Sequence, residues 1–463
     1  MPTRQQSPEG REFRQDAFAS SPDFERGLLG NLVAARCQRL TDREEIAVLW
    51  WLQQISWREG GLLSLAADLA ARYRNQISVF RRSGQDDFLD GEIVDSVELD
   101  ETEVRTMADF FARSIVDPAA CSLRDGSAPF NAGFARFDGL WDALIASRQA
   151  EIDTAGKGIV ETEVSTRVFE ALDFARESRS FVLIEGREGL GKSASARNWC
   201  RRHPGESVYV PLQSGTDEMT LYRCIAQALG TACSIARKAG EIKANVEKAL
   251  QPGHLTLVLD EAHFLWPQAA RAERSAPKRV DWLRTALIDH DVPVAIISTP
   301  QYFANQCDRF RQGGWNANQI QRRLAHTERL PESLSVADMQ AVIRLHFPEI
   351  PAAKVFDIAI LATGSLGFVG TIAHLRKRLD FLVSRKGARS EAAILDRLIN
   401  ELATDAGIDL AALKADATPS KKASPAADLS VPCRGAAMPI PRRCTAPANP
   451  SRIFSEQSEL SVT

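Results

Sequence analysis

"FVLIEGREGLGKSASARNW" (residues 181–199) decides how the rest of this chain reads. The apolar run from Phe181 predicts a buried strand, and the residues after Ser193 predict a helix. Between them Gly186, Gly191, Lys192 and Ser193 fit the spacing G-x-x-x-x-G-K-[ST]. Glycines let such a loop wrap so closely that backbone N–H groups point at phosphate oxygens, and the helix that starts there adds its positive end. On this reading Gly186, Arg187, Glu188, Gly189, Leu190, Gly191, Lys192, Ser193 and Ala194 form a phosphate cradle. Lys192 reaches the β and γ phosphates, and the Ser193 hydroxyl ligates magnesium. ATP and Mg2+ are the cofactors expected. A glycine turn that happens to end in Lys-Ser is the competing reading, and the surroundings decide between them.

The decisive neighbour is "LTLVLDEAH" (255–263), an apolar strand ending in Asp260 and Glu261. Two carboxylates at the C-terminal edge of a parallel sheet stand beside the phosphate loop. Asp260 is expected to hold magnesium through its water shell, and Glu261 to polarise the attacking water as general base. A strand ending in a solvated acidic turn is the bland alternative.

A hydrolase also needs groups that sense the γ-phosphate and neutralise charge in the transition state. The strand "VPVAIIS" (292–298) delivers Ser298 and Thr299 to the same edge, and Thr299 is the candidate for contacting water or γ-phosphate. Hydroxyls at strand ends also simply form turns. In "NQIQRRLAHTERL" (318–330), Arg322 and Arg323 are candidates for an arginine finger acting on a neighbouring subunit, or else are solvated helix charges. Gln213 is a weaker candidate for a polar relay to Glu261.

Further apolar runs, "SVYVPL" (207–212) and "HTERL" (326–330), alternate with helical patterns. Strands apolar on every residue are buried on both faces, so the fold class is α/β, with a P-loop core of five parallel strands between helices over 158–332. Helical patterns alone follow over 333–412, a lid domain. Before the core, 23–157 reads as mostly helical with an acidic linker at about 84–104. Trp50, Trp51 and Trp57 are expected to fill a core of its own. Residues 1–22 read as a frayed N-terminus, and the Pro-, Ala- and Ser-rich stretch 413–463 as a disordered tail.

Lys and Arg (57) nearly balance Asp and Glu (60), a formal charge of -3, so no global field draws the chain to nucleic acid or to an acidic membrane. Binding to DNA must then come from local patches. The insertion "PQAARAERSAPKR" (267–279) offers one, with Arg271, Arg274, Lys278 and Arg279 as possible contacts to duplex DNA phosphates, though basic loops are often only solvated. The 8 cysteines, at 37, 121, 200, 224, 233, 307, 433 and 444, contain no C-x-x-C pair, which argues against a zinc site or a disulfide framework and for reduced thiols in a cytoplasm. No apolar run approaches the roughly 18 residues a bilayer span needs.

With a P-loop, "VLDEAH", a polar end on the fourth strand, paired arginines and a helical lid in this order, the chain resembles an AAA+ ATPase of the Orc- or DEAH-like type. "DEAH" also names a helicase class, but that class needs a second RecA-like domain, and here helices follow the sheet. The lead-in "IVETEVSTRVFEALDFARES" (159–178) looks like the entry to the ATPase domain of the phage Mu B and TniB transposition helpers. That resemblance spans about residues 158–385. It implies homo-oligomers that assemble on duplex DNA with ATP and answer to a transposase or integrase. The family's lid helix opens with Gly-x-x-Arg; here Gly367 stands at the arginine position, with Arg376 and Arg378 further along. A switch in signalling or phage defence, working through a protein partner of the N-terminal helices, is the alternative function. A degenerate P-loop that binds nucleotide only structurally is the third.

Overall fold

A computed structural model describes residues 31–69, 140–156 and 160–409, apart from 32, 36, 39, 57, 59–60, 215–217, 232–237, 268–275, 366 and 387–390. Trp57, the acidic linker, Arg271, Arg274 and both terminal segments fall outside the described residues. In chain order the elements are α1 (Arg43–Ser56), α2 (Leu140–Ala155), α3 (Glu163–Ser178), β1 (Phe181–Glu185), α4 (Lys192–Arg202), β2 (Ser207–Pro211), α5 (Glu218–Leu229), α6 (Ala239–Leu250), β3 (Thr256–Asp260), α7 (Lys278–Trp282), β4 (Val294–Ser298), α8 (Tyr302–Gln312), α9 (Asn318–Gln321) and β5 (Leu324–Arg329). Four lid helices follow: α10 (Val336–His346), α11 (Ala352–Gly364), α12 (Phe368–Lys386) and α13 (Glu391–Asp405).

The five strands form one sheet in the order β2-β3-β4-β1-β5, and every pairing is parallel. Parallel neighbours need crossovers, which the intervening helices supply. β1, β3 and β4 are buried at every residue, as continuous apolar runs demand when both faces are covered. Alternate residues feed two separate cores. Phe181, Leu183, Leu257, Leu259, Val294 and Ile296 join one cluster with α5, α6, α7 and α8. Val182, Ile184, Val258, Ala295 and Ile297 join the other, with α3, α4 and the lid helices. The two-residue period of a strand thus assigns the lid to one face. β5 begins at Leu324, two positions before the expected run, because Phe181 pairs with Leu324 across an irregularity in register.

The N-terminal helices do not keep a core of their own. Residues Ile46 to Leu52 of α1 are buried in unbroken succession, so the helix is apolar on all sides and must be enclosed. Trp50 and Trp51 belong to the same cluster as Phe181 and Leu257. At 1 % exposure each, they remove on the order of 150–250 Å² apiece from water. Polar ties fix the docking: Gln53 Nε2 donates to Gly230 O, Gln54 Nε2 to Ser207 O, and Gly205 N to Gln54 Oε1. Gly205 permits it, since a Cβ there would lie 1.9 Å from Ala47 O.

α3 begins with a Thr162 cap. Thr162 Oγ1 accepts from Ser165 N at 3.1 Å, and Ser165 Oγ accepts from Thr162 N at 2.7 Å, a reciprocal box that aims the helix into β1.

Candidate functional site

The site lies at the C-terminal edge of the sheet, where β1 hands over to the loop 186–191 and β3 to Glu261. β4 separates β1 from β3, so the two chain ends stand about 10 Å apart at the usual strand spacing. Gly186 N donates to Ser298 O at 3.2 Å, which ties the start of the loop to the end of β4. Gly191 (φ 90) caps α4, and Lys192 is the first residue of that helix. Leu190 is buried and anchors the loop in the lid-side core, whereas Arg187, Glu188 and Ala194 are exposed.

Lys192 Nζ donates to Gly186 O and Arg187 O, each at 2.6 Å. Burial pulls its ammonium below the ordinary lysine range, while the carboxylates of Asp260, Glu261 and Glu188 act in the opposite direction. The P-loop lysine and the acidic pair are therefore electrostatic neighbours, as the two motifs require. Asp260 is 4 % exposed; its Oδ1 accepts from Glu261 N at 2.9 Å and its Oδ2 from the Tyr209 hydroxyl at 2.5 Å. Ser193 also faces the Tyr209 hydroxyl.

Glu261 has φ 58, a left-handed conformation that costs a side-chain-bearing residue about 1 kcal/mol or more. The turn ends β3 abruptly and leaves the Glu261 carboxylate half exposed, with Oε2 3.1 Å from His263 Nδ1. Gln213, the relay candidate, is exposed, and the partner found for Glu261 is His263 instead. The imidazole is two residues away on the 3-10 turn Ala262–Leu265, and a relay sought on another strand overlooked it.

Thr299 is half-buried just past β4, its carbonyl accepting from Tyr302 N at 3.3 Å. The preceding Ser298 hydroxyl is buried with no protein partner among the described residues. Arg322 is exposed and forms no ion pair among the described residues, while Arg323 pairs with Asp289 and donates to Gln319 O at 2.6 Å. The two adjacent arginines are thus not equivalent: one is held within its own chain. Of the basic insertion, Lys278 is exposed and lies 3.5 Å from Glu218. Arg279 is 8 % exposed and donates to Phe264 O at 2.6 Å, which corrects its expected place on a DNA-facing surface. Tertiary packing of α7 turned that charge inward.

The lid closes directly on the loop. Val369 N donates to Gly189 O at 3.0 Å. Gly189 has φ 78, and a Cβ there would lie 2.6 Å from Gly367 O. Gly367 is therefore part of a backbone-to-backbone contact. Arg376 bonds Asp380 and Glu391 and lies over the Phe347 ring, and Arg378 lies 3.5 Å from Glu401. Both lid arginines act inside the lid. Two residues without a sequence signal also line the region: Tyr209, and Glu185, whose carboxyl at the end of β1 is pushed up by burial and drawn down by Arg329 at 3.9 Å.

Among the described residues no group of His, Cys, Asp and Glu forms a metal cluster of side chains alone, and no helix is long and apolar enough to cross a membrane. The donor set at the loop fits a magnesium ion carried by a nucleotide: a hydroxyl and a buried carboxylate side by side, both oxygen ligands.

Comparison with solved structures finds the RuvB Holliday junction branch migration motor of Thermotoga maritima, 16% identical with a TM-score of 0.29, covering 54% of this chain and 83% of that one. An alanine-to-serine variant and a threonine-to-valine variant of RuvB match over the same shares, at 15% and 16% identity, each with a TM-score of 0.30. Among curated proteins none matches. Residues 175–306 match the family described as AAA domain. That segment runs from α3 through the loop, Asp260, Glu261 and β4 into α8, so the loop, the acidic pair and the strand between them all lie within the stretch similar to that family.

Proposed function

We propose that this protein binds ATP with magnesium, hydrolyses it, and acts as a self-assembling, DNA-bound helper of transposition or mobile-element integration. The observation that carries the catalytic half is that Asp260 and Glu261, at the end of β3, lie close enough to act electrostatically on the Lys192 ammonium beyond β4. Backbone amides of the loop and Lys192 hold the phosphates, Ser193 and Asp260 face the magnesium side, and Glu261 orients the water. Magnesium supplies charge neutralisation on the phosphate oxygens when bound. The half-exposed Glu261 is free to meet solvent, and His263 holds it to one side until a substrate water competes for the carboxylate. Thr299, just past β4, is the candidate to contact the water or the γ-phosphate.

Arg322 is the better finger for a neighbouring subunit, because it carries no ion pair among the described residues, whereas Arg323 is committed to Asp289. Support for the DNA role comes from the Mu B-like lead-in and the basic insertion, of which Lys278 is the exposed described member. ATP-dependent filaments or rings on duplex DNA, viewed by electron microscopy at low salt, test it. Assembly with wild type and none with Lys192→Ala is the expected result; naked DNA with both proteins would remove the transposition role.

One observation favours the alternative, a switch working through a protein partner. Asn198 Nδ2, on the helix that follows the P-loop, donates to Ala155 O at the end of α2 at 2.9 Å, so the nucleotide loop is mechanically joined to the N-terminal helices. A partner captured by the N-terminal region in an ATP-dependent manner, without DNA, would favour that reading.

A further inference from the structure

β2 carries neither sequence motif, yet it places a side chain between the two that matter. In the sheet Tyr209 pairs with Val258 and Pro211 with Asp260, so Tyr209 lies two positions upstream of the β3 carboxylate on the neighbouring strand. It packs against the lid-side core, the face that also holds Leu190 of the loop and Trp199 of α4. From there its hydroxyl donates to Asp260 Oδ2 at 2.5 Å, and the Ser193 hydroxyl addresses the same phenol oxygen. The guanidinium of Arg197, one turn into α4, sits 5.6 Å from the ring centroid and fixes the ring from the side. Asp260 is consequently held at both oxygens, Oδ2 by Tyr209 and Oδ1 by the Glu261 amide at 2.9 Å. A carboxylate gripped twice cannot rotate about its own axis, and each of its oxygens keeps a further lone pair for a metal-bound water.

We propose that Tyr209 is a positioning residue of the nucleotide site, whose phenol couples the Ser193 hydroxyl to the Asp260 carboxylate and so sets the spacing of the two magnesium-facing groups. The proposal rests on the reading of the site as one for a magnesium nucleotide. A tyrosine serving packing alone would also seek a partner for its hydroxyl, so the test has to separate metal coupling from stability. Phenylalanine keeps the ring against Arg197 and the lid-side core.

Calorimetric titration of ADP, with and without Mg2+, into wild type and Tyr209→Phe provides the separation, because no turnover is involved. ADP affinity without Mg2+ is expected to match wild type within about twofold, while the strengthening by Mg2+ falls about tenfold, the usual scale for losing one charge-assisted hydrogen bond. In an Asp260→Asn background the same substitution is expected to add nothing to the loss. A Mg2+ effect in Tyr209→Phe equal to that of wild type, or an additive loss in the Asp260→Asn background, would overturn the role of Tyr209 alone. No ADP binding by wild type, with or without Mg2+, would overturn the nucleotide reading and this proposal with it.

Discussion

At the N-terminal edge of the sheet, Glu206 accepts from Arg148 on α2 and from Arg176 on α3, Arg148 also donates to Pro204 O at 2.8 Å, and Arg179 donates to Pro252 O at 2.7 Å. A cavity of ≈ 420 Å³ opens among these groups. At the C-terminal edge Lys192 and Ser193 open α4, Asp260 ends β3 and Glu261 follows it, with both carboxylates acting on the Lys192 ammonium. Both ends gather charge, but the chemistry differs. At the N-terminal edge the ionic groups answer one another and stitch the N-terminal helices to the sheet. At the C-terminal edge an ammonium, a hydroxyl and two carboxylates gather where β1 and β3 end, one of the carboxylates in a strained backbone conformation. A cavity and gathered charge do not by themselves mark a nucleotide site; the direction of the strands favours the C-terminal edge.

Substitutions can break this contrast. Glu261→Gln removes the proposed base while keeping the shape of the side chain, so phosphate release is expected to fall by about 100-fold or more with melting temperature unchanged. Equal rates would leave the C-terminal edge with no catalytic claim. Gly189→Ala forces a Cβ to within 2.6 Å of Gly367 O in a left-handed backbone. Denaturant unfolding should report a loss of about 1–3 kcal/mol together with weaker nucleotide binding, because the loop and the lid share that contact. Wild-type values for both would mean that the lid is not seated on the loop. Arg148→Met at the other edge is expected to cost about 1 kcal/mol of stability, since its side chain is 12% exposed and Glu206 keeps Arg176 as a partner. Turnover should not change; a fall in turnover without a fall in stability would place function at the N-terminal edge as well.

How much of this was legible in the sequence depends on whether the information is local. The loop 186–193 and Asp260–Glu261 are contiguous motifs, and the strands that present them are continuous apolar runs, so the sheet and the heart of the site could be read directly. Tyr209 was not, because a tyrosine within "SVYVPL" reads as a strand residue until β2 is known to pair with β3. Arg279 was misread because its burial depends on the Phe264 carbonyl, which the fold brings to it across the insertion. The difference between Arg322 and Arg323 rests on Asp289, a residue on another segment. The N-terminal helices hid their docking in plain view: an α1 buried from Ile46 to Leu52 cannot stand alone, whichever surface covers it.

The account depends above all on Lys192 acting on phosphate in company with the acidic pair. Calorimetric titration of ATP with Mg2+ into wild type and Lys192→Ala tests this most directly. Saturable binding by wild type and no detectable binding by Lys192→Ala is the predicted result, because a buried point charge is lost from the phosphates. The same affinity in both proteins would contradict it.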